Sequence, residues 1–375
     1  MPEKSWKLAV LLVALTLNGN TIAEADSESS DPDDPLVPDL RESKVPLQFG
    51  RGDFVAVPIP FSNPTLGTGL VVAAGYFHAQ THEQKATQPP SVTGAAAMYS
   101  DNGSYAVGVG NASYWNEDRW RFKGGLGYAD LELPLLVSEL GPVKLEFDWL
   151  VDGALAFGEI SRKIGGNWHL GVRGRYMTVD QSLDLEASSD LLLLRDEIVA
   201  AGLGVSLEYD TRDLPSNPYS GRHFTASTLF NRTALGGDDN YDSYSLKFRS
   251  YHRLAEPFVL AWMVSGCDRS GPVPLWDTCM LNLRGAPVTH HMGRSSLMAE
   301  IEGRWRFSKR WGAVAFTGAG QVRKTLVTER DGDFVQNYGA GIRFMVSTTQ
   351  RINVRLDYGR AGDDSAVTLS VGEAF

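Results

Sequence analysis

Ser296-Leu297-Met298-Ala299-Glu300-Ile301-Glu302-Gly303-Arg304-Trp305-Arg306-Phe307 reads as a strand with two unlike faces. Glu300, Glu302, Arg304 and Arg306 share one parity, while Ile301, Trp305 and Phe307 share the other with Gly303 between them. Successive strand side chains point to opposite sides of a sheet, so one face is ionic and the other apolar. A soluble sandwich would turn the apolar face inward. A membrane barrel would turn it to lipid and line a wet lumen with the charges. Just upstream, in the stretch that begins at Cys267, lies a loop with Leu283-Arg284-Gly285-Ala286-Pro287.

The N-terminus constrains the choice. Lys4 and Lys7 precede an apolar run from Leu8 to Leu17, and Ala23-Glu24-Ala25 has the small-x-small form of a cleavage site. Residues 1–25 read as a secretory signal peptide, cut before Asp26, and the run is too short for a spanning helix, which needs about 20 apolar residues. Residues 26–47 form an acidic linker rich in Ser and Pro that cannot bury enough apolar area to order itself. Nothing folded is expected before the body of the chain at 48–375.

After Leu17 no apolar run is long enough for a membrane helix, so a spanning protein would have to be a closed barrel, in which every backbone group is satisfied. The 39 glycines suit tight turns and crowded strands. With a formal charge of -10 and no clustered Lys and Arg, nucleic acid is not an expected partner. Cys267 and Cys279 make a plausible disulfide in an oxidising compartment, with two free buried thiols as the alternative.

The same alternation recurs along the chain. Arg121 and Lys123 alternate with Trp120 and Phe122. Arg173 and Arg175 oppose Val172 and Tyr176, Glu208 and Asp210 oppose Leu207 and Tyr209, and Lys247 and Arg249 oppose Leu246 and Phe248. Arg351, Asn353, Arg355 and Asp357 face away from Ile352, Val354, Leu356 and Tyr358. Short polar links such as 116–118, 254–257 and 308–310 join successive strands, and longer connections such as 268–294 and 325–333 alternate with them. Short turns on one rim and long loops on the other describe an outer-membrane barrel. About sixteen antiparallel strands fit, from 54–59, weakened by Pro58 and Pro60, to 366–375. The last would carry Val367, Leu369, Val371 and Phe375 on one parity, with Glu373 breaking it at the headgroup rim. A final aromatic resembles the C-terminal assembly signal of bacterial outer-membrane proteins.

The Leu283-Arg284-Gly285 loop, the Glu300-Ile301-Glu302 strand, Phe316-Thr317-Gly318-Ala319-Gly320 and the turn from Asp210 to Gly221 resemble the BamA/TamA family of outer-membrane proteins, the bacterial surface antigen family. That resemblance covers roughly 54–375. It implies a barrel whose sixth external loop folds inward, its Arg-Gly tip packing on acidic and glycine-rich positions, with Phe316 and Gly320 at family positions. Ala286 replaces a usual aromatic, and Gly318 stands where many members have Asp. The family's insertases carry POTRA domains, so this chain reads as a short form without them.

A buried guanidinium has to be paired, so Arg284 is expected to contact Glu300, Glu302 or Asp357 and pin the loop across the lumen. His290 and His291, adjacent on a strand, would face opposite sides and read as a solvated pair rather than a metal site. Gly67-x-Gly69 reads as strand crowding, and Asn231-Arg232-Thr233 as strand sequence. His223 with scattered Ser and Asp makes no hydrolase constellation, so no enzyme, metal or cofactor is expected. The preferred function is assistance to insertion or movement of protein or lipid at the outer membrane, through weakly paired first and last strands. A passive channel or structural surface protein is the alternative, and a lipid-modifying barrel enzyme is disfavoured. Expected partners are outer-membrane lipid, the machinery that inserts the barrel, and a client protein or lipid.

Overall fold

The computed structural model describes residues 52–137, 145–184, 197–325, 331–332, 334–348 and 351–375. The signal peptide and acidic linker read from 1–47 lie outside the described residues.

The chain is a single antiparallel sheet closed on itself. Its strands are β1 (Asp53–Asn63), β2 (Gly67–Phe77), β3 (Val92–Ser100), β4 (Tyr105–Trp115), β5 (Trp120–Val137), β6 (Leu145–Gly165), β7 (Trp168–Asp184), β8 (Ile198–Asp210) and β9 (Gly221–Asn231). There follow β10 (Tyr241–Ala255), β11 (Phe258–Ser270), β12 (Cys279–Met280), β13 (Met292–Trp305), β14 (Trp311–Thr325), β15 (Val335–Ser347), β16 (Ile352–Ala361) and β17 (Asp364–Val371). The two-residue β12 belongs to the loop that joins β11 to β13, which leaves sixteen barrel strands among the described residues. Closure matters energetically because it removes the unpaired edges that lipid could not satisfy.

Outward positions are apolar and exposed, among them Leu126, Val172, Leu203, Leu246, Ile301, Ile342 and Leu356. Aromatic pairs ring the rim that carries most of the short turns: Trp168 with Tyr209 and Phe224, Phe258 with Trp305, and Trp311 with Phe344. An apolar belt flanked by such a girdle is the exterior of a lipid-embedded barrel. The links 116–119, 166–167, 256–257 and 306–310 lie on this rim, interrupted by the longer 78–91 and 211–220. The 271–291 loop leaves the opposite rim.

Two elements depart from the sequence reading. β1 runs on past 59 to Asn63 and includes both prolines, in register with β2 from Asp53 against Phe77 to Asn63 against Gly67. Its other side meets β17 in register only at Ser62 against Leu369, so Pro58 and Pro60, lacking an N–H, sit on a nearly unpaired flank where they are tolerated. At the other end, β17 stops at Val371 instead of continuing to Phe375. Gly372 turns the chain at φ 92°, and residues 373–375 enter the lumen. Glu373 is therefore not at a headgroup rim but paired inside the barrel, because Arg343 and Asn353 offer partners that lipid does not.

The lumen is divided along its length. On β5 one parity carries Arg121 and Lys123 near the short-turn rim and then Ala129, Leu131, Leu133 and Leu135. These last pack with Trp149, Val151, Met177, Val179, Ile198 and, from the long loop, Trp276 into an apolar core that fills the long-loop end. A wholly watery bore, expected from the ionic parity, is thus confined to the short-turn half. The inner face is amphipathic along the strands as well as across them.

Candidate functional site

The 271–291 loop folds into the barrel and presents Arg284 to the inner walls of β13 and β16. Arg284 donates one terminal nitrogen to Glu302 at 2.5 Å and the other to Glu300 at 2.6 Å, with Asp357 at 3.4 Å. All three acids are buried, Glu302 completely. Strand parity explains the convergence: Glu300 and Glu302 are i and i+2 on β13, hence on one face. The guanidinium carbon also lies 3.4 Å from the centre of the Phe316 ring of β14, a cation–π contact shielded from water.

The charges are mutually neutralised. Arg304 donates to Glu302 at 2.7 Å, Arg343 to Asp357 at 2.5 Å and to Glu373 at 2.8 Å, and Arg355 to Asp357 at 3.1 Å. Asn337 donates to Glu300 at 2.8 Å. Four arginines meet four carboxylates, which is what makes so many buried ions tolerable.

Backbone crowding seats the tip. Gly285 has φ 114°, and a Cβ there would lie 2.6 Å from the carbonyl carbon of Gly359 on β16. A Cβ on Gly359 would lie 2.7 Å from the Arg284 carbonyl oxygen, so main chain rests on main chain. Leu283 is buried, as is Ala286, where the resembled family usually has an aromatic. Leu281 packs over Gly320, whose added Cβ would sit 3.0 Å from it. At Gly318 an added Cβ would lie 2.6 Å from the Ala299 carbonyl oxygen and 2.7 Å from the Asn337 side-chain oxygen, so the position has no room for a side chain. Cys267 and Cys279 are bonded, fastening the loop to β11.

Further anchors were not legible in the sequence. Asp277 accepts bonds from Arg175 and, at 2.7 Å, from the Tyr241 hydroxyl, tying the loop to β7 and β10. Val288 N–H donates to Thr65 at 3.1 Å, and the Thr289 hydroxyl donates to the Pro134 carbonyl. The reading of His290 and His291 as a solvated strand pair is corrected: His290 lies in a 3-10 turn and contacts Asp364 at 3.0 Å. Arg306 lies just past β13 on the rim, 3.2 Å from the Tyr219 hydroxyl. Phe375 is buried in the lumen, with its main-chain oxygen accepting from Arg304 at 2.9 Å.

A second ionic group lies near the short-turn rim, around a cavity of about 210 Å³. Arg121 bonds Asp118 at 2.6 Å, Lys123 approaches Glu208 at 3.5 Å, and Arg212 bonds Asp210 at 2.6 Å. Glu208, Asp210 and His223 have donor atoms within 4.8 Å of one another. Their carboxylates are already held by Arg212, Arg121 and Lys123, so cations stand where a metal would have to bind.

By sequence the chain matches no family model and no curated protein. By structure it aligns with BamA from Haemophilus ducreyi lacking POTRA domains 1–3, at a TM-score of 0.60 and 13% identity over 86% of this chain and 70% of that one. The chain has the fold of a BamA-type outer-membrane β-barrel. The barrel also aligns with CdiB from Escherichia coli, at a TM-score of 0.58 and 10% identity over 85% of this chain, and with CdiB from Acinetobacter baumannii, at 0.54 and 11% over 86%. It spans 62% and 59% of those two chains. With the BamA-type fold in place, the short-turn rim is the periplasmic one and the 271–291 loop enters from outside.

Proposed function

We propose that this barrel assists the insertion or movement of protein or lipid at the outer membrane, with the seam between β1 and β17 as its lateral opening. The observation that carries the reading is the poverty of that seam: among the described residues, in-register pairing at Ser62 and Leu369 alone, on a strand with two prolines. Every other neighbouring pair of barrel strands is held by a longer ladder, as β16 and β17 are from Val354 against Val371 to Ala361 against Asp364. Opening here breaks the fewest backbone bonds, while the Arg284 network ties together the neighbouring wall of β13 to β16. The apolar core and inward loop fill the external half of the lumen, which argues against a passive channel. We assign the barrel no catalytic role.

The test is a cysteine pair, Ser62→Cys with Leu369→Cys, in proteoliposomes supplied with an unfolded outer-membrane protein. Oxidation is expected to abolish stimulated assembly of that client and reduction of the new bond to restore it. Equal assembly with the seam locked and unlocked would defeat the proposal, and a large ion conductance in the same vesicles would favour the channel.

A further inference from the structure

Lys247 and Arg249 sit two residues apart on the inner parity of β10, opposite the exposed Tyr244 and Leu246. Neighbouring lumen cations have carboxylates: Arg121 has Asp118, Lys123 has Glu208, Arg173 has Glu159 at 3.8 Å and Arg212 has Asp210. Among the described residues, neither Lys247 nor Arg249 makes an ion pair or a side-chain hydrogen bond, and the Nε of Arg249 is buried without a partner. The imbalance does not follow from composition, since the whole chain carries -10. Nor is it general to the interior, because the Arg284 end matches each arginine with an acid.

The surroundings suit an oxyanion. Thr225 and Ser265 flank Lys247 in register on the two neighbouring strands and add hydroxyl donors to the same row. Thr225 is in turn in register with Glu208, which lines the 210 Å³ cavity near the periplasmic rim. Two cations on one strand face repel each other and lose hydration, and a doubly charged tetrahedral group relieves both penalties. Phosphate offers two charges and several acceptor oxygens to one guanidinium, one ammonium and two hydroxyls, where a carboxylate offers one charge and two oxygens.

We propose that Lys247 and Arg249 form a phosphate-binding site in the periplasmic half of the lumen, taking either free phosphate or the phosphate of a lipid headgroup. The apolar core closes the external end, so the ligand enters from the periplasmic rim. The site stands whether or not the seam acts as an opening.

Calorimetric titration of the full-length protein in neutral detergent at low ionic strength tests this. One arm uses inorganic phosphate, a second dihexanoyl phosphatidic acid, and a third the matching diacylglycerol, which lacks the phosphate. Binding is expected in at least one phosphate arm and not with the diacylglycerol. The arm that binds more tightly identifies the source. K247Q/R249Q should weaken it at least tenfold, whereas R253Q, on the exposed end of the same strand, should leave it unchanged. The single variants K247Q and R249Q, each expected to weaken binding several-fold, serve if the double variant fails to fold. No binding in either phosphate arm, or equal binding by K247Q/R249Q and wild type, would overturn the proposal.

Discussion

Replacing Arg284 by alanine isolates the contribution of the loop plug. In the variant Glu302 keeps Arg304 at 2.7 Å, whereas Glu300 keeps only the neutral Asn337 amide at 2.8 Å. A buried carboxylate is thereby stripped of its cation, a change that costs about 3–5 kcal/mol in comparable sites. Loss of the Phe316 contact adds about 1–2 kcal/mol. Together these make about 4–7 kcal/mol, and at about 1.4 kcal/mol per decade the equilibrium between seated and displaced loop should shift roughly a thousandfold or more. Protease cleavage between 271 and 291 in folded, detergent-solubilised protein reads that equilibrium directly. The reasoning makes a sharper demand: R284A/E300Q, which removes the orphaned charge, should recover a large part of the loss. If R284A is as resistant as wild type, or if E300Q brings no recovery, the orphaned carboxylate is not what holds the loop.

Gly359→Ala should displace the tip without touching any charge, because its Cβ would meet the Arg284 carbonyl oxygen at 2.7 Å, and cleavage of the loop should rise as in R284A. Cys267→Ser/Cys279→Ser should lower the temperature at which the barrel unfolds on gels, by an amount matching about 2–4 kcal/mol, and reductant should do the same to wild type and nothing further to the variant. Burial of Asp277 on its own would raise its pKa, yet the bonds and charge of Arg175 outweigh that and hold it below the usual aspartate range. A depressed folded value means that the anchor stabilises fully above the unfolded pKa of about 4 and is lost as pH falls through the folded one. Acid-induced loop cleavage should therefore appear below about pH 4 in wild type, and D277N should lack that step.

The strands were legible because the period-two pattern needs no partner to be read: Glu300 and Ile301 declare two faces on one strand, and the alternation of short and long connections turned those strands into a barrel rather than a sandwich. Arg284 could be matched to Glu300, Glu302 and Asp357 because the family resemblance implies an inward loop whose Arg-Gly tip meets acidic positions, and a buried guanidinium has to be paired. The apolar core was not legible for the opposite reason. On β5, Leu131, Leu133 and Leu135 point inward on the parity of Arg121, but apolar neighbours such as Leu126 and Tyr128 on the other face hide the change. Gly372 alone signalled the inward turn of the terminus, and a glycine near a chain end has many ordinary readings. The link from Asp277 to Arg175 spans 102 positions and depends on where the loop lands, which no local pattern encodes.

The loop that bears Arg284 touches Pro134 on β5, Thr65 beside β1 and Gly359 on β16. Those partners are up to 223 positions away along the polypeptide. Such distant pairings are reached late, since the intervening chain must already be ordered before they are rewarded. Wrapping of β16 and β17 around an already docked loop would thus be the closing event of biogenesis. Variants that unseat Arg284 should then accumulate as incompletely closed, protease-sensitive precursors in the periplasm, a defect in arrival at the membrane that precedes any defect in work done there.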